Sequence, residues 1–303
     1  MKNLKRRDFI LSFSAVLMLP RWAQGAAAEN CRFGMVTDSH YADVVGGGSR
    51  KYSESLEKMR ECIDSMNEQA PSFLVHGGDF IDGVGHPTVP EALERLEAIN
   101  NEFARFEGPH YNVLGNHCLD ALSKSDFLSG IENTGIDPER SFYSFDVKGL
   151  HFVVLDACFQ GDGTPYDKGN FNWTDANIPA DQLAWLEDDL ENTRLPAIVF
   201  VHQLLDGSGN VYINNAADVR EVLENSGKTL AVFHGHHHQG QYNNIKDIHY
   251  YTLRAMVEGS GETNNSYAIL KVQSDRIVVE GYRRAVSREM QLPGPEGLSI
   301  HIE

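Results

Sequence analysis

Five short polar motifs each follow directly on an apolar run: Asp38-Ser39-His40, Gly77-Gly78-Asp79, Gly115-Asn116-His117, His202, and Gly235-His236-His237-His238. Carboxylates, one amide oxygen and imidazoles, with no thiolate among them, form a mixed oxygen and nitrogen donor set suited to manganese, iron or zinc. Two such ions bridged by one carboxylate, about 3.5–4 Å apart, clamp a phosphoryl group and activate water. Asp38 and Asp79 would bring −2 against about +4 from two divalent ions, so a filled site keeps positive charge for an anionic substrate. The ordinary structural reading of these residues is weak, because seven polar side chains at the ends of buried strands are costly without a shared purpose.

For distant motifs to meet, their apolar runs must be strands whose carboxyl ends face one crevice, as in open α/β sheets. The sequence supports that arrangement. Phe33–Val36, Phe73–Val75, Tyr111–Leu114, Ala197–Val201 and Leu230–Phe233 read as buried strands, and helical spacing is expected near 53–67, 90–106, 181–192 and 217–225. Tyr143–Val147 and Phe152–Leu155 read as paired strands around Lys148-Gly149. Tyr250–Val257, Tyr267–Val272 and Ile277–Tyr282 read as a closing set of strands. Strands alternating with helices mark an α/β domain. With no linker or internal repeat, the economical architecture is one domain over 29–303, two sheets face to face with helices outside.

The ordered series D-x-H, G-D, G-N-H, a lone His and G-H-x-H, spread over roughly 31–240, resembles the calcineurin-like metallophosphoesterase family. That resemblance implies a four-layer αββα sandwich with two mixed β-sheets, and hydrolysis of a phosphate ester or phosphoanhydride by metal-bound hydroxide. It implies one ion on Asp38, His40, Asp79 and His238, and a second shared through Asp79 and held by Asn116, His202 and His236. His117 would contact the phosphate, stabilising the transition state or protonating the leaving group. Asp38-Ser39-His40-Tyr41-Ala42-Asp43, Arg50-Lys51-Tyr52-Ser53, Gln182-Leu183-Ala184-Trp185-Leu186 and Tyr267-Ala268-Ile269 are similar to the manganese-dependent ADP-ribose/CDP-alcohol diphosphatase branch. The chain departs from that branch at His40, where Gln is frequent, at Leu204, where Pro is frequent, and at Cys118, where Glu is frequent. The chemistry therefore carries over further than the substrate, and a broad phosphomonoesterase or phosphodiesterase is the alternative. A noncatalytic scaffold of the same fold is the alternative of another class; loss of ligands or of His117 is expected of such a protein, and none is lost here.

Composition sets outer limits. A formal charge of −17 argues against a nucleic-acid polymer as partner, which needs a basic groove. An acidic body draws a small phosphate compound only through local positive charge, and bound ions are the obvious source. Lys2, Lys5 and Arg6-Arg7-Asp8-Phe9-Ile10, then the apolar stretch Ile10 to Leu19 and the small residues Ala26, Ala27 and Ala28, resemble a twin-arginine export signal over 1–28. The stretch falls short of the ~20 residues of a membrane span, so periplasmic export without a stable anchor is expected. In that compartment Cys31, Cys62, Cys118 and Cys158 admit disulfides in any of three pairings.

Several residues have bland readings. His234 and His237 alternate with the G-H-x-H ligands and should point away from them. His76 reads as a buried strand histidine, Asp82 as a turn cap, Asp156 as a loop support and Trp185 as helix core. The connection from Asp156 to the helix near Asp181 is long for a segment without regular structure. It holds Tyr166, Phe171 and Trp173 among glycines. Its aromatics either pack back onto the domain or overhang the cleft and stack on a planar substrate group.

Overall fold

The computed structural model describes residues 31–294; the expected export signal lies outside them. Two six-stranded mixed sheets form the centre. The strands are β1 (Cys31–Val36), β2 (Leu74–His76), β3 (His110–Asn112), β4 (Tyr143–Val147), β5 (Leu150–Val154) and β6 (Ala197–Phe200), then β7 (Thr229–His234), β8 (Gln241–Ile245), β9 (Ile248–Thr252), β10 (Ser266–Val272), β11 (Arg276–Arg283) and β12 (Arg288–Gln291). One sheet runs β12-β11-β10-β1-β2-β3 and the other β4-β5-β6-β7-β9-β8. β1, β2 and β3 are parallel, as are β5, β6, β7 and β9, which is why crossover helices cover their outer faces.

Between the sheets lies an aromatic core. Phe33 has the rings of Phe73, Phe152, Phe200 and Phe233 within 5.1–5.9 Å, one stacked and three edge-on. Outside the first sheet, α1 (Ser55–Gln69) and α2 (Val89–Phe103) bury Met59, Cys62, Ile63 and Met66, and Leu96, Ile99 and Phe103, at the three- and four-residue spacing of one helix face. A capping box between Thr88 and Glu91, with proline in the first turn, sets where α2 begins. A short helix α3 (Lys124–Ser129) follows β3. Outside the second sheet, α4 (Ala180–Asn192) and α5 (Ala216–Ser226) bury Leu186 and Leu190, and Val219 and Leu223. Helix, sheet, sheet and helix layers match the expected sandwich.

Three differences from the sequence reading have physical causes. The strand expected over Tyr250–Val257 ends at Thr252, because the backbone beyond it turns to bond the end of β1 (Met256 N–H to Thr37 O, 3.0 Å; Val257 N–H to Asp38 O, 3.0 Å). β8 and β12 are edge strands of largely polar sequence, which carry no alternating pattern to read. All four cysteines are free, buried thiols: Cys31 lies between the sheets, and Cys62, Cys118 and Cys158 lie in the core under the first helical layer.

Candidate metal centre

The five motifs meet at the carboxyl ends of parallel strands. Asp38 and His40 follow β1, Asp79 follows β2 and Asn116 follows β3, while His202 follows β6 and His236 and His238 follow β7. The site therefore draws on both sheets. Four of these residues adopt left-handed backbone: Asp38 (φ 53°), His40 (φ 43°), Asp79 (φ 51°) and His236 (φ 66°). That conformation costs a residue with a Cβ about 1 kcal/mol or more, and the surrounding structure must hold it in place. Two glycines make room for the turns. A Cβ on Gly115 would come within 2.2 Å of Asp79 N, and one on Gly235 within 2.6 Å of Asp38 Oδ2.

The hydrogen-bonding logic of the site points to cations. His202 Nδ1 faces the Gly77 carbonyl at 2.8 Å, so the neutral ring carries its proton there. Its Nε2 lone pair then faces Asp79 Oδ2 at 2.9 Å, acceptor against acceptor, with no hydrogen bond between them. His40 Nδ1 faces Asp82 Oδ2 at 2.9 Å and His238 Nδ1 faces Glu258 Oε1 at 2.6 Å, which turns two more lone pairs toward each other across 3.0 Å. Asn116 Oδ1 and His236 Nε2 are buried without a hydrogen-bond partner among the described residues. Positive charge between these atoms, from protons on His202 and His238 or from metal ions in their place, reconciles them.

The spacings suit metal ions. Donors bound at about 2.0–2.2 Å to one ion lie about 3–3.6 Å apart. Asp38 Oδ1 is 3.6 Å from His40 Nε2 and 3.4 Å from His238 Nε2. Asp79 Oδ2 is 3.5 Å from His40 Nε2 and 2.9 Å from His202 Nε2, so it stands between two groups of donors. Asp38, His40 and His238 can hold one ion, and Asp79, His202 and His236 a second. Burial opposes ionisation of Asp38, but His238, His40 and His202 outweigh it and hold its carboxyl well below the usual range. Asp79 is lowered against burial by His202, His117 and His40. Burial, followed by the charge of His202, pushes His236 down to about 3, leaving a neutral imidazole ready to bind metal. His238 is raised to about 9, against burial, by Asp38 and Glu258.

His117 stands beside these groups without duplicating them. Its ring lies 4.8 Å from that of His40, its backbone N–H donates to Asp79 Oδ1 at 2.8 Å, and its side chain is 28% exposed. Nδ1 donates to Asp120 Oδ2 at 2.7 Å, which leaves Nε2 for a substrate. Against burial, the charges of Asp79, Asp120 and Asp82 raise its pKa to about 9. Sequence reasoning missed Asp120 and Glu258. Asp120 has a readable signal, three residues after His117 in a tight helical turn; Glu258 has none, since only the folded loop after β9 brings it to His238.

The remaining candidates fall outside the donor set. His234 is stacked near Tyr250 and accepts from Leu205 N–H, and His76 bonds Ser39 within the first sheet. Asp156 bonds Lys124 and the Cys158 N–H, supporting its loop. Asp82 does cap a turn through Val84 N–H, and it also orients His40. The long connection divides its aromatics. Tyr166 is fully buried and stacked on Phe171 at 3.9 Å, whereas Trp173 is 44% exposed with its ring 5.6 Å from that of His236.

A dinuclear donor set at the strand ends of an αββα sandwich defines a class, and comparison with known proteins agrees. Residues 31–240 match the model of the calcineurin-like phosphoesterase family, and the chain belongs to it. It is a metal-dependent hydrolase of phosphate ester or anhydride bonds that works with two divalent ions. Among curated relatives it is 27% identical to a manganese-dependent ADP-ribose/CDP-alcohol diphosphatase of Oryza sativa subsp. japonica, over 85% of this chain and 93% of that protein. It is 24% identical to the protein of that name from Arabidopsis thaliana, over 86% and 96%. Among solved structures, a dimetal phosphatase from Danio rerio superposes with a TM-score of 0.77 at 20% identity, covering 88% of this chain and all of that one. A purple acid phosphatase from yellow lupin seeds gives 0.63 at 13%, covering 90% and 56%.

Proposed function

We propose that this enzyme is a nucleotide-type diphosphatase, with one ion on Asp38, His40, Asp79 and His238 and the other on Asp79, Asn116, His202 and His236. The observation that carries the substrate reading is Trp173, a half-exposed indole beside His236 where a planar group of a bound substrate can rest. The names of the two plant relatives point the same way. When bound, the ions supply Lewis acidity and a water acidic enough to attack near neutral pH.

The chain's own residues do the rest. Asp82, Gly77 O and Glu258 fix the tautomers of His40, His202 and His238, which keeps three Nε2 lone pairs aimed inward. His117, held upright by Asp120 through Nδ1, gives a proton from Nε2 to the departing oxygen. A panel on metal-reconstituted protein tests the reading, comparing ADP-ribose, CDP-choline, cyclic nucleotides and simple phosphomonoesters. Highest kcat/KM on the two diphosphates is expected. A preference for monoesters, or for cyclic diesters, would replace the diphosphatase reading with another member of the same chemical class.

A further inference from the structure

One cation at the rim of the site is held only loosely among the described residues, by Tyr52 and by a long approach to Asp82. Arg50 lies in the loop between β1 and α1, and its backbone is pinned on both sides. It forms an antiparallel bridge with Glu258, Lys51 N–H donates to Val257 O at 2.9 Å, and Gly259 N–H to Ser49 O at 2.7 Å. Its side chain is 35% exposed, and Nη1 comes only to 3.8 Å from Asp82 Oδ2, beyond hydrogen-bond distance. Asp82 is already committed, with Oδ2 on His40 Nδ1 and Oδ1 on Val84 N–H. Arg95 shows what a structural arginine looks like here: buried, bonded to Asp43 and to the carbonyls of Asp82 and Val84.

The position of this charge relative to the acid is what gives it meaning. Asp82 Oδ2 is 3.8 Å from Arg50 Nη1 and 3.7 Å from His117 Nδ1, so the guanidinium and the imidazole flank one oxygen. The general acid stands on the leaving-group side of the phosphorus under attack. Hydrolysis of a diphosphate adds the oxygen of water to one phosphorus, breaks the P–O–P bond, and returns a proton to the departing phosphate. A cation on the far side of Asp82 from the acid is within side-chain reach of that second phosphate, whose charge grows as the bond breaks. A planar fork of donors is the group best shaped to hold phosphate oxygens.

We propose that Arg50 grips the departing phosphate of a diphosphate substrate and so selects phosphoanhydrides over simple esters. The inference rests on the diphosphatase reading for its substrate class. Arg50→Ala and Arg50→Lys are compared on ADP-ribose and on bis(p-nitrophenyl) phosphate, whose leaving group carries no phosphate, with bound metal measured in each protein. A loss of about 10- to 100-fold in kcat/KM on ADP-ribose is expected for the alanine variant, from one charge-assisted contact. The loss on the nitrophenyl diester should be at least fivefold smaller, with lysine recovering only part of the difference. Equal losses on both substrates, or no loss on ADP-ribose, overturn the proposal.

A binding readout separates this from the substrate assignment. With the nitrophenyl diester as reporter, α,β-methylene-ADP and AMP serve as competitive inhibitors differing by one phosphate. The Arg50→Ala change should raise the inhibition constant of the diphosphate analogue about tenfold or more and that of AMP much less. That pattern in an enzyme that prefers esters would keep the phosphate contact of Arg50 and discard both the diphosphatase reading and the selection of anhydrides. Parallel shifts for both inhibitors would discard the role of Arg50 alone.

Discussion

Replacing Trp173 by alanine tests the substrate reading at a site away from the metal ligands. A tryptophan side chain offers up to about 250 Å² for burial, and 44% of Trp173 is exposed, which leaves about 110 Å² available to a ligand. At about 25 cal/mol per Å², covering all of it is worth at most about 3 kcal/mol, and covering one face about half that. The range for a base stacked on an aromatic ring, about 1–3 kcal/mol, brackets that value. Trp173→Ala should therefore raise KM for ADP-ribose or CDP-choline about tenfold, with methyl p-nitrophenyl phosphate, whose retained ester group is not planar, turned over as before. The assay is steady-state kinetics on both substrates beside a thermal melt. Equal losses on both, with a lowered melting temperature, would assign the indole to packing against His236 and remove the support it gives to a nucleotide substrate.

Other expectations follow from the same geometry. Asp79→Asn removes the charge between the two donor groups, so metal content and turnover should fall together; two ions per chain by elemental analysis with near-normal activity would refute the bridging role. His117→Ala should keep both ions and lose roughly 10²–10⁴-fold in rate, less for substrates with good leaving groups if its Nε2 proton is what counts. Arg6→Lys with Arg7→Lys should strand the protein in the cytoplasm if export follows the twin-arginine route; undiminished periplasmic protein in a cell fractionation would point to the general secretory route.

Much of the centre was legible because two periodicities coincide in the sequence. Buried parallel strands are written as short apolar runs, and ligands gather beyond their carboxyl ends, so a polar motif after each run marks both a fold and a site. Six of the seven residues named from the sequence fall into two groups within metal-binding reach, and the seventh, Asn116, keeps a buried oxygen without a partner among the described residues. What stayed hidden depends on tertiary approach. Glu258 reaches His238 only because the chain after Thr252 leaves β9 and bonds the end of β1. The left-handed backbone of Asp38, His40, Asp79 and His236 is equally silent, since aspartate and histidine ordinarily take other conformations. The free thiols show the opposite error. Four cysteines behind an expected export signal admit disulfides, but each thiol is free and buried in an apolar core.

The proposed substrate contacts lie in different parts of the chain from the candidate metal donors, which is why the donors are readable and the contacts need the structure. The donors sit on strand ends held by both sheets, where moving any one misplaces the ions for all, so residue types and order carry the information. Arg50 and Trp173 sit in connections, after β1 and after β5, whose lengths and compositions say little about where a side chain finishes. The structure places Trp173 beside His236, whose ring lies 5.1 Å from that of His202, and Arg50 3.8 Å from Asp82, the partner of His40. The planar group and the departing phosphate of one substrate would then lie toward opposite donor groups, with the attacked phosphorus between them. A diphosphate carrying its planar group on the phosphorus under attack fits that order. Its products would be a nucleoside monophosphate, retained against Trp173, and a phosphate ester released past Arg50. Hydrolysis of ADP-ribose in ¹⁸O-labelled water reads this directly: label in AMP supports the order, and label in ribose 5-phosphate reverses it.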